Sequence, residues 1–299
     1  MTALLHLALL LIGAPLLPGI INKTKALAAG RVGPPLLQAY YDMAKLFRKE
    51  MVLSETTTWV FLAGPAVSLV AALLASLMLP LSGSKAPLAF PGDMIVFVYL
   101  FALGRFFTTA AALDTGSAFE GMGAAREVTF SALAEPALFF GLLALVRVGG
   151  ALELSSVLAV SRASWHNATA ALVLIVASWF IVLLAETSRV PFDDPNTHLE
   201  LTMIHEVMVL DHSGPAFGVV LYASAMKLFV FAALVATVVL PQLSNPLAGA
   251  ALCFAAIVVI CIVIGVIESG MARLRLVRVP QLLITATLVA AFAVVLVLR

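Results

Sequence analysis

Charged side chains are scarce in this sequence of 299 residues. Lys, Arg, Asp and Glu together make up 11% of it, whereas 63% of its residues are hydrophobic. The polar side chains are too few to cover the surface of a water-soluble globule of this length. The composition therefore excludes a soluble globular protein and predicts an integral membrane protein.

The sequence is also poor in cysteine and in the motifs of self-contained enzymes. Its two cysteines, Cys253 and Cys261, lie in one apolar segment, which predicts packing residues and no disulfide or metal-cluster framework. It contains no G-x-x-x-x-G-K, no G-x-G-x-x-G after a strand and no G-x-S-x-G motif. These absences argue against nucleotide binding, serine hydrolysis and a complete catalytic site in this chain.

Long apolar runs are what the sequence has instead. A spanning helix needs about 20 mostly apolar residues, and such runs lie near residues 2–21, 58–81, 92–113, 128–149, 165–186, 216–241, 247–268 and 279–298. The first run begins without a charge and precedes no small-residue cleavage site, which predicts a retained helix. The predicted fold is an all-α integral membrane protein, a single membrane domain over residues 1–299 with about eight transmembrane helices.

Basic residues indicate the orientation of these helices. With the amino terminus outside, most Lys and Arg residues fall on cytoplasmic loops, so the positive-inside rule favours both termini outside the cytoplasm. The polar loops, about 22–57, 114–127 and 187–215, then face the cytoplasm. In the first loop after Pro35, apolar residues recur at helical spacing with charges between them, at Leu36, Leu37, Tyr40, Tyr41, Ala44, Leu46 and Phe47. This spacing predicts an amphipathic helix at the membrane surface or against a docked protein.

The stretch from Pro191 to Pro215 is the densest in ionisable residues. Asp194-Pro195 is a good helix start and Gly214-Pro215 a good stop, which predicts a helix of about 19 residues between them. On such a helix the histidines form one stripe and two of the carboxylates lie nearly opposite, which predicts two proton-binding faces. The histidines are His198, His205 and His212, and the carboxylates are Glu200 and Asp211, with Glu206 between the two stripes.

A metal site is not predicted in this stretch. His205 and Glu206 begin a zincin-like motif, but Val209 stands where the second histidine ligand is required. Neutral imidazoles relay protons across their two nitrogens, and they also serve as hydrogen-bonded structural groups. Both roles remain open for each of the three histidines.

Ionisable residues also occur inside the apolar runs or at their ends. Charge is costly there and usually faces a bundle interior or a water-filled cavity. Separate ion pairs that hold helices together are one interpretation, but the set as a whole favours a proton path. Its members are Arg105, Glu135, Glu186, Lys227 and Glu268.

Three segments resemble the membrane subunit 1 family of respiratory complex I, in order and over nearly the whole length. They are GRVGPPLLQAYYDMAKLFRKE after the first span, GSAFEGMGAAREVTFSALAEP around the fourth, and AETSRVPFDD after the fifth. Complex I members then continue with an acid-rich run ending in Glu-Tyr-Ser-Gly. Here the run is DPNTHLELTMIHEVMVLDHSGP, about three residues longer and richer in histidine. It is similar to the branch of formate hydrogenlyase subunit 4, hydrogenase-4 component C and other membrane-bound group 4 [NiFe]-hydrogenases.

The resemblance implies a membrane-anchor and ion-coupling subunit with no cofactor of its own, which links hydrogen/proton redox chemistry to proton or sodium translocation. It implies as partners the hydrogenase large and small subunits, an iron–sulfur subunit and antiporter-like membrane subunits, with the [NiFe] centre and iron–sulfur clusters in those chains. It implies the cell inner membrane as location, a lipid environment and no nucleic acid. Two alternatives stay open: a quinone-binding subunit 1 of a complex I-like NADH or other quinone oxidoreductase, and a stand-alone secondary transporter.

Site residues carried over from the resemblance fall into two groups. The proton-transfer or coupling group includes the histidines of the polar stretch. Its members are Glu135, Glu186, His198, Glu200, His205, Glu206, Asp211, His212 and Lys227. The group that structures the loops or docks the soluble arm is Arg31, Gly33, Pro34, Gln38, Asp42, Lys45, Glu50, Arg126, Arg189, Pro191, Phe192 and Asp193.

Overall fold

The computed structural model of the chain describes residues 2–81, 85–193, 203–241, 243 and 245–298. Within these ranges every regular element is a helix. The α-helices are α1 (Thr2–Gly13), α2 (Leu16–Ala28), α3 (Gln38–Leu46), α4 (Trp59–Leu77), α5 (Asp93–Asp114), α6 (Ala118–Gly149), α7 (Leu154–Ala163), α8 (Trp165–Glu186), α9 (Gly214–Val239), α10 (Pro246–Gly270) and α11 (Val279–Val297). Short 3-10 helices cover Glu206–Val209 and Leu276–Arg278.

Seven helices of the described chain are long and apolar enough to cross a membrane. They are α4, α5, α6, the Ala168–Glu186 part of α8, α9, α10 and the Leu276–Val297 segment containing α11. The bent pair α1 and α2 makes an eighth if it is counted as one span. The all-α membrane fold predicted from the apolar runs is confirmed, and the amphipathic helix predicted after Pro35 is α3.

The break between α1 and α2 bends the pair by 43° and follows from Pro15. Proline has no N–H, so the carbonyl oxygen of Leu11 loses its helical donor. The hydroxyl of Tyr222 on α9 donates to that oxygen at 2.9 Å, and the hydroxyl of Tyr40 on α3 donates to the carbonyl of Ile12. Two tyrosines from other helices therefore satisfy the carbonyl groups that the break exposes.

Helix α9 lies at the centre of the bundle. Two-thirds of its spanning window is buried, a larger share than in any other span. It packs against α4, α10, α8 and α3. Because its neighbours surround it, a polar side chain on α9 is screened from lipid and must find its partner inside the protein.

One helix boundary and one additional helix differ from the sequence prediction. Helix α6 begins at Ala118, so most of the predicted loop 114–127 is helix. Hydropathy marks where a chain enters the bilayer and not where its helix ends, which is why it predicts only the 128–149 part. Helix α7 is not predicted from the sequence, since its ten residues form no apolar run long enough to span.

The helix predicted between Asp194 and Gly214 is wrong over its described part. Residues 203–213 form a loop, here called the polar loop, whose regular structure is the 3-10 turn Glu206–Val209, and Gly214-Pro215 begins α9. Side chains from elsewhere bind the backbone N–H groups that an α-helix would use: Asp193 accepts from Ile204 and His205 at 3.0 and 3.1 Å, and Glu120 accepts from Asp211 at 3.1 Å. The proposed stripe therefore does not exist for His205 and His212. His198 and Glu200 lie outside the described residues, as does the predicted helix start at Asp194-Pro195.

Candidate functional site

Four ionisable side chains from four helices meet inside the bundle. Arg105 on α5 forms ion pairs with Glu135 on α6 and with Glu186 at the end of α8. The ammonium group of Lys227 on α9 lies 2.8 Å from the second oxygen of Glu186. The four, here called the charge row, carry two positive and two negative formal charges. Their mutual pairing compensates for the loss of hydration that burial imposes on each group.

Glu135 is the least buried member of the charge row, with 33% of its side chain exposed against 6% for Glu186. It lies on the wall of an apolar groove of about 610 Å³ between α5 and α6, whose lining includes Ile95, Pro136 and Phe139. Pro136 also removes one hydrogen bond from α6 next to Glu135. The charge row therefore runs from the interior of the bundle at Lys227 to its side at Glu135.

A narrow cleft of about 60 Å³ adjoins the other end of the charge row. Arg105 and Lys227 line it, together with Glu127 on α6 and the polar-loop histidines His205 and His212. Ser68 and Thr108 add two hydroxyl groups that hydrogen-bond to each other at 2.8 Å. This inner cleft thus brings polar-loop side chains and the charge row into one space.

A second cavity of about 280 Å³ lies between α2, α3, α9 and the polar loop. Its polar lining includes Gln38 and Asp42 from α3, Arg189 after α8, and His205 and Glu206 from the polar loop. Gln38 donates to Asp42 at 2.8 Å, one turn apart on α3. Residues predicted as docking and as proton-transfer groups therefore share this outer cavity.

Close packing against α6 positions the polar loop. Gly123 leaves no room for a side chain, since a Cβ atom there would lie 3.0 Å from the carbonyl oxygen of Ile204 and would overlap Val207. Arg126, three residues further along α6, donates to the carbonyl of Met203 at 2.7 Å. The same face of α6 thus contacts the beginning and the middle of the loop.

Ion pairs fix the segments that flank the polar loop. Asp193 pairs with Arg273 at 3.1 Å, while its other oxygen binds the loop amides. Glu268 on α10 lies 2.9 Å from Lys25 on α2 and 3.6 Å from Arg189. The predicted loop-structuring residues Arg189 and Asp193 therefore connect the segment after α8 to α10 and to the chain that follows it.

Burial keeps the loop histidines uncharged near neutral pH. Desolvation lowers the pKa of His205, and the negative charge of Glu127 opposes this. Desolvation also lowers the pKa of His212 from 6.5 to about 4, with Asp211 acting in the opposite direction. The imidazole of His212 packs on Phe61 with 4.0 Å between ring centroids. His212 is thus held mainly by packing.

The remaining predicted residues lie on the surface or in the loop framework. Asp211 is exposed and binds Glu120 through its backbone N–H, so its carboxylate does not join the charge row. Phe192 is buried in the main core. The predicted site residues of the first loop that are exposed are Arg31, Gly33, Pro34, Asp42, Lys45 and Glu50.

Sequence reasoning missed two carboxylates at this site. Glu120 is almost fully buried, and Glu127 lines the inner cleft. Both fall in the segment predicted as a loop, where a carboxylate is expected to be solvated and does not indicate a functional site. Glu127 directly follows Arg126, a predicted site residue, and that adjacency was the signal available. Among the described residues no group of three or more His, Cys, Asp or Glu side chains is arranged to hold a metal ion.

These features define a multi-pass membrane protein built around an intramembrane charge network. A family model described as NADH dehydrogenase matches residues 1–299. Formate hydrogenlyase subunit 4 of Escherichia coli (strain K12) is 33% identical over 279 residues, which are 90% of this chain and 89% of that protein. The chain therefore belongs to the NADH dehydrogenase subunit 1-type family, as its three signature segments predicted.

Two further relatives and one solved structure are also similar to this chain. Hydrogenase-4 component C of the same strain is 32% identical, with 80% of this chain and 75% of that protein covered. An NADH-quinone oxidoreductase subunit of Burkholderia vietnamiensis (strain G4 / LMG 22486) is 26% identical, with 72% and 62% covered. A chain of the membrane-bound sulfane sulfur reductase, an archaeal respiratory membrane complex, superposes with a TM-score of 0.84 over 99% of both chains at 22% identity, which shows a shared fold.

Proposed function

We propose that this protein is the membrane-anchor and ion-coupling subunit of a formate hydrogenlyase or group 4 [NiFe]-hydrogenase-type complex. The observation that carries the proposal is the charge row of Arg105, Glu135, Glu186 and Lys227, which adjoins a cleft shared with the polar loop. A chain of buried ionisable groups that ends near a loop surface suits proton transfer between a soluble partner and the membrane interior. The relatives of highest identity reported above support the hydrogenase type.

The proposed partners follow from the two faces of the bundle. The exposed first loop, including α3, is proposed to dock the hydrogenase large and small subunits and an iron–sulfur subunit, which hold the [NiFe] centre and the clusters. The apolar groove beside Glu135 is proposed to face antiporter-like membrane subunits. The proposed location is the cell inner membrane with both termini outside the cytoplasm, which places the polar loop on the cytoplasmic side.

A quinone-binding role is the second candidate, and the outer cavity favours it. Its volume of about 280 Å³ is close to the lower limit of size for a small-molecule site, and its mixed apolar and polar lining matches the character of such a site. The polar loop contributes His205 and Glu206 to its wall. In the leading proposal the same space holds water that exchanges protons with these side chains.

Purification of this subunit in mild detergent with its bound partners distinguishes the two functions. Hydrogen evolution and uptake are measured with artificial electron carriers, beside a nickel determination and a quinone reductase assay. Hydrogen activity with stoichiometric nickel is the expected result. A complex without nickel that reduces a quinone would overturn the proposal and establish the second candidate.

A further inference from the structure

His205 is the titratable side chain that lines both the inner cleft and the outer cavity. Val209, Val220 and Ser224 also contribute to both walls, but none of them carries a charge. The Nδ1 atom of His205 is buried and has no hydrogen-bond partner among the described residues. A free ring nitrogen at a boundary between two spaces is available to accept or donate a proton.

The position of His205 is fixed through its backbone. Its N–H donates to Asp193 at 3.1 Å, and Asp193 is anchored in turn by Arg273. Asp193 thus holds the main chain at His205 and does not use the imidazole nitrogens for this hydrogen bond. A titratable side chain on a fixed backbone therefore lies between the inner cleft and the outer cavity.

Charged groups from four directions face this imidazole: Glu127 on α6, Lys227 on α9, Asp193 in the loop segment and Glu186 at the end of α8. Three of them are already paired. Lys227 pairs with Glu186, and Asp193 pairs with Arg273 and the loop amides. Glu127 is the carboxylate in the described lining of the inner cleft, which it shares with His205.

Glu127 also faces the charge row. It interacts electrostatically with Arg105 as well as with His205, and it is half-buried. Glu127 therefore lines the same cleft as His205 and as Arg105, the first cation of the charge row. No sequence pattern assigns it a role.

We propose that Glu127 and His205 are a proton-transfer pair that joins the outer cavity to the charge row. This inference rests on the proposed coupling function. The imidazole takes a proton from the outer-cavity side, an N–H bond on the imidazolium then breaks, and an O–H bond forms on the Glu127 carboxylate. No electrons move, the imidazole returns to its neutral form, and the proton leaves Glu127 towards the charge row.

The test uses the complete complex, purified and reconstituted in proteoliposomes. The variants are Glu127→Gln, Glu127→Asp, His205→Gln and the double variant Glu127→Gln/His205→Gln, with Glu153→Gln as a control at a half-buried acid before α7, outside the first loop and the polar loop. Substrate turnover and proton movement across the vesicle membrane are recorded over a range of pH, with whichever electron acceptor the wild-type complex uses. Subunit content is checked by gel filtration.

We expect Glu127→Gln and His205→Gln each to lower the rate of proton movement on the order of tenfold or more. Glu127→Asp restores most of it and shifts the pH profile, which a structural role would not do. Because the two groups act in series, the double variant should be no slower than the slower single one. Glu153→Gln should match the wild type.

Two failures are distinguishable. Wild-type proton movement that is retained in assembled Glu127→Gln overturns the proton-transfer pair and leaves the coupling function standing. A wild-type complex that turns over but moves no protons overturns the coupling function, and the pair with it. An assembly defect in Glu127→Gln that Glu127→Asp does not repair would make Glu127 a structural residue and contradict the inference.

Discussion

Arg105 holds the charge row together because its guanidinium contacts two carboxylates from different helices. Its side chain is 10% exposed, so bulk water replaces these contacts poorly if they are lost. Lys227 reaches one of the two, Glu186. The row is thus three ion pairs in series, in which Arg105 is shared by the first two and Glu186 by the last two. The loss of one member therefore leaves a buried charge without its partner.

Replacing Arg105 by Met should destabilise the protein by about 3–5 kcal/mol, the range for breaking a buried ion pair from one side. The thermal midpoint of the complex in detergent measures this. Arg147→Met is the control, because Arg147 is exposed at the end of α6. Equal midpoints for the two variants would show that the guanidinium does not hold the row.

His212 gives stability a dependence on pH. The folded protein keeps this imidazole neutral down to about pH 4, whereas the unfolded chain takes up a proton below about 6.5. The unfolded state therefore binds more protons in that window, and the free energy of unfolding falls as the pH is lowered through it. The loss is up to about 2 kcal/mol at pH 5, and His205, whose pKa is also lowered, adds to it.

The variant His212→Phe tests this pH dependence. Phenylalanine keeps an aromatic contact with Phe61 but does not titrate. The thermal midpoint of the His212→Phe variant should fall less between pH 7 and pH 5 than that of the wild type. Parallel curves for the two proteins would show that His212 takes up no additional proton on unfolding.

At the scale of elements, the junction between α6 and the polar loop decides the geometry of the site. Gly123 permits the backbone of the loop to approach α6, and Arg126 binds the loop at Met203. Asp193 and Glu120 bind loop N–H groups from two other directions. The loop therefore owes its shape to neighbouring elements and not to its own helical pattern.

Gly123→Ala and Gly121→Ala form a matched pair on α6. Alanine favours a helix over glycine by roughly 0.5–1 kcal/mol, so both gain in propensity. At position 121 the new Cβ meets Leu113 at 3.9 Å, an ordinary contact, whereas at 123 it overlaps Val207 and approaches Met208 to 3.0 Å. We expect Gly121→Ala to keep or raise the thermal midpoint and Gly123→Ala to lower it by several degrees. A Gly123→Ala protein as stable as Gly121→Ala would contradict this packing.

The same elements show how far sequence reasoning reaches. Apolar runs predict α4, α5, α9, α10 and α11, because the thickness of the bilayer sets their length. They fail for the polar loop, since its conformation depends on Asp193 and Glu120, and the latter lies 91 residues before the amide it binds. The members of the charge row are predicted individually, but hydropathy contains no information on which helices adjoin. Glu127 is missed because it falls in the segment predicted as a loop.

At the scale of the molecule, the bundle arranges its polar groups along one route. The outer cavity meets the inner cleft at His205, the inner cleft meets the charge row at Arg105 and Lys227, and the charge row ends at Glu135 on the side of the bundle. Apolar residues surround this route in the main core. In the proposed coupling function, protons move along this route while the helices remain packed.

The most direct test of the central claim is a measurement on Glu135→Gln, which keeps the shape of the side chain and removes its titration. Hydrogen turnover and proton translocation are measured together on the complete complex in proteoliposomes. We predict that the complex assembles with all its subunits and that its coupled activity is impaired. Unchanged hydrogen turnover and unchanged proton translocation in the assembled variant would contradict the coupling role of the charge row.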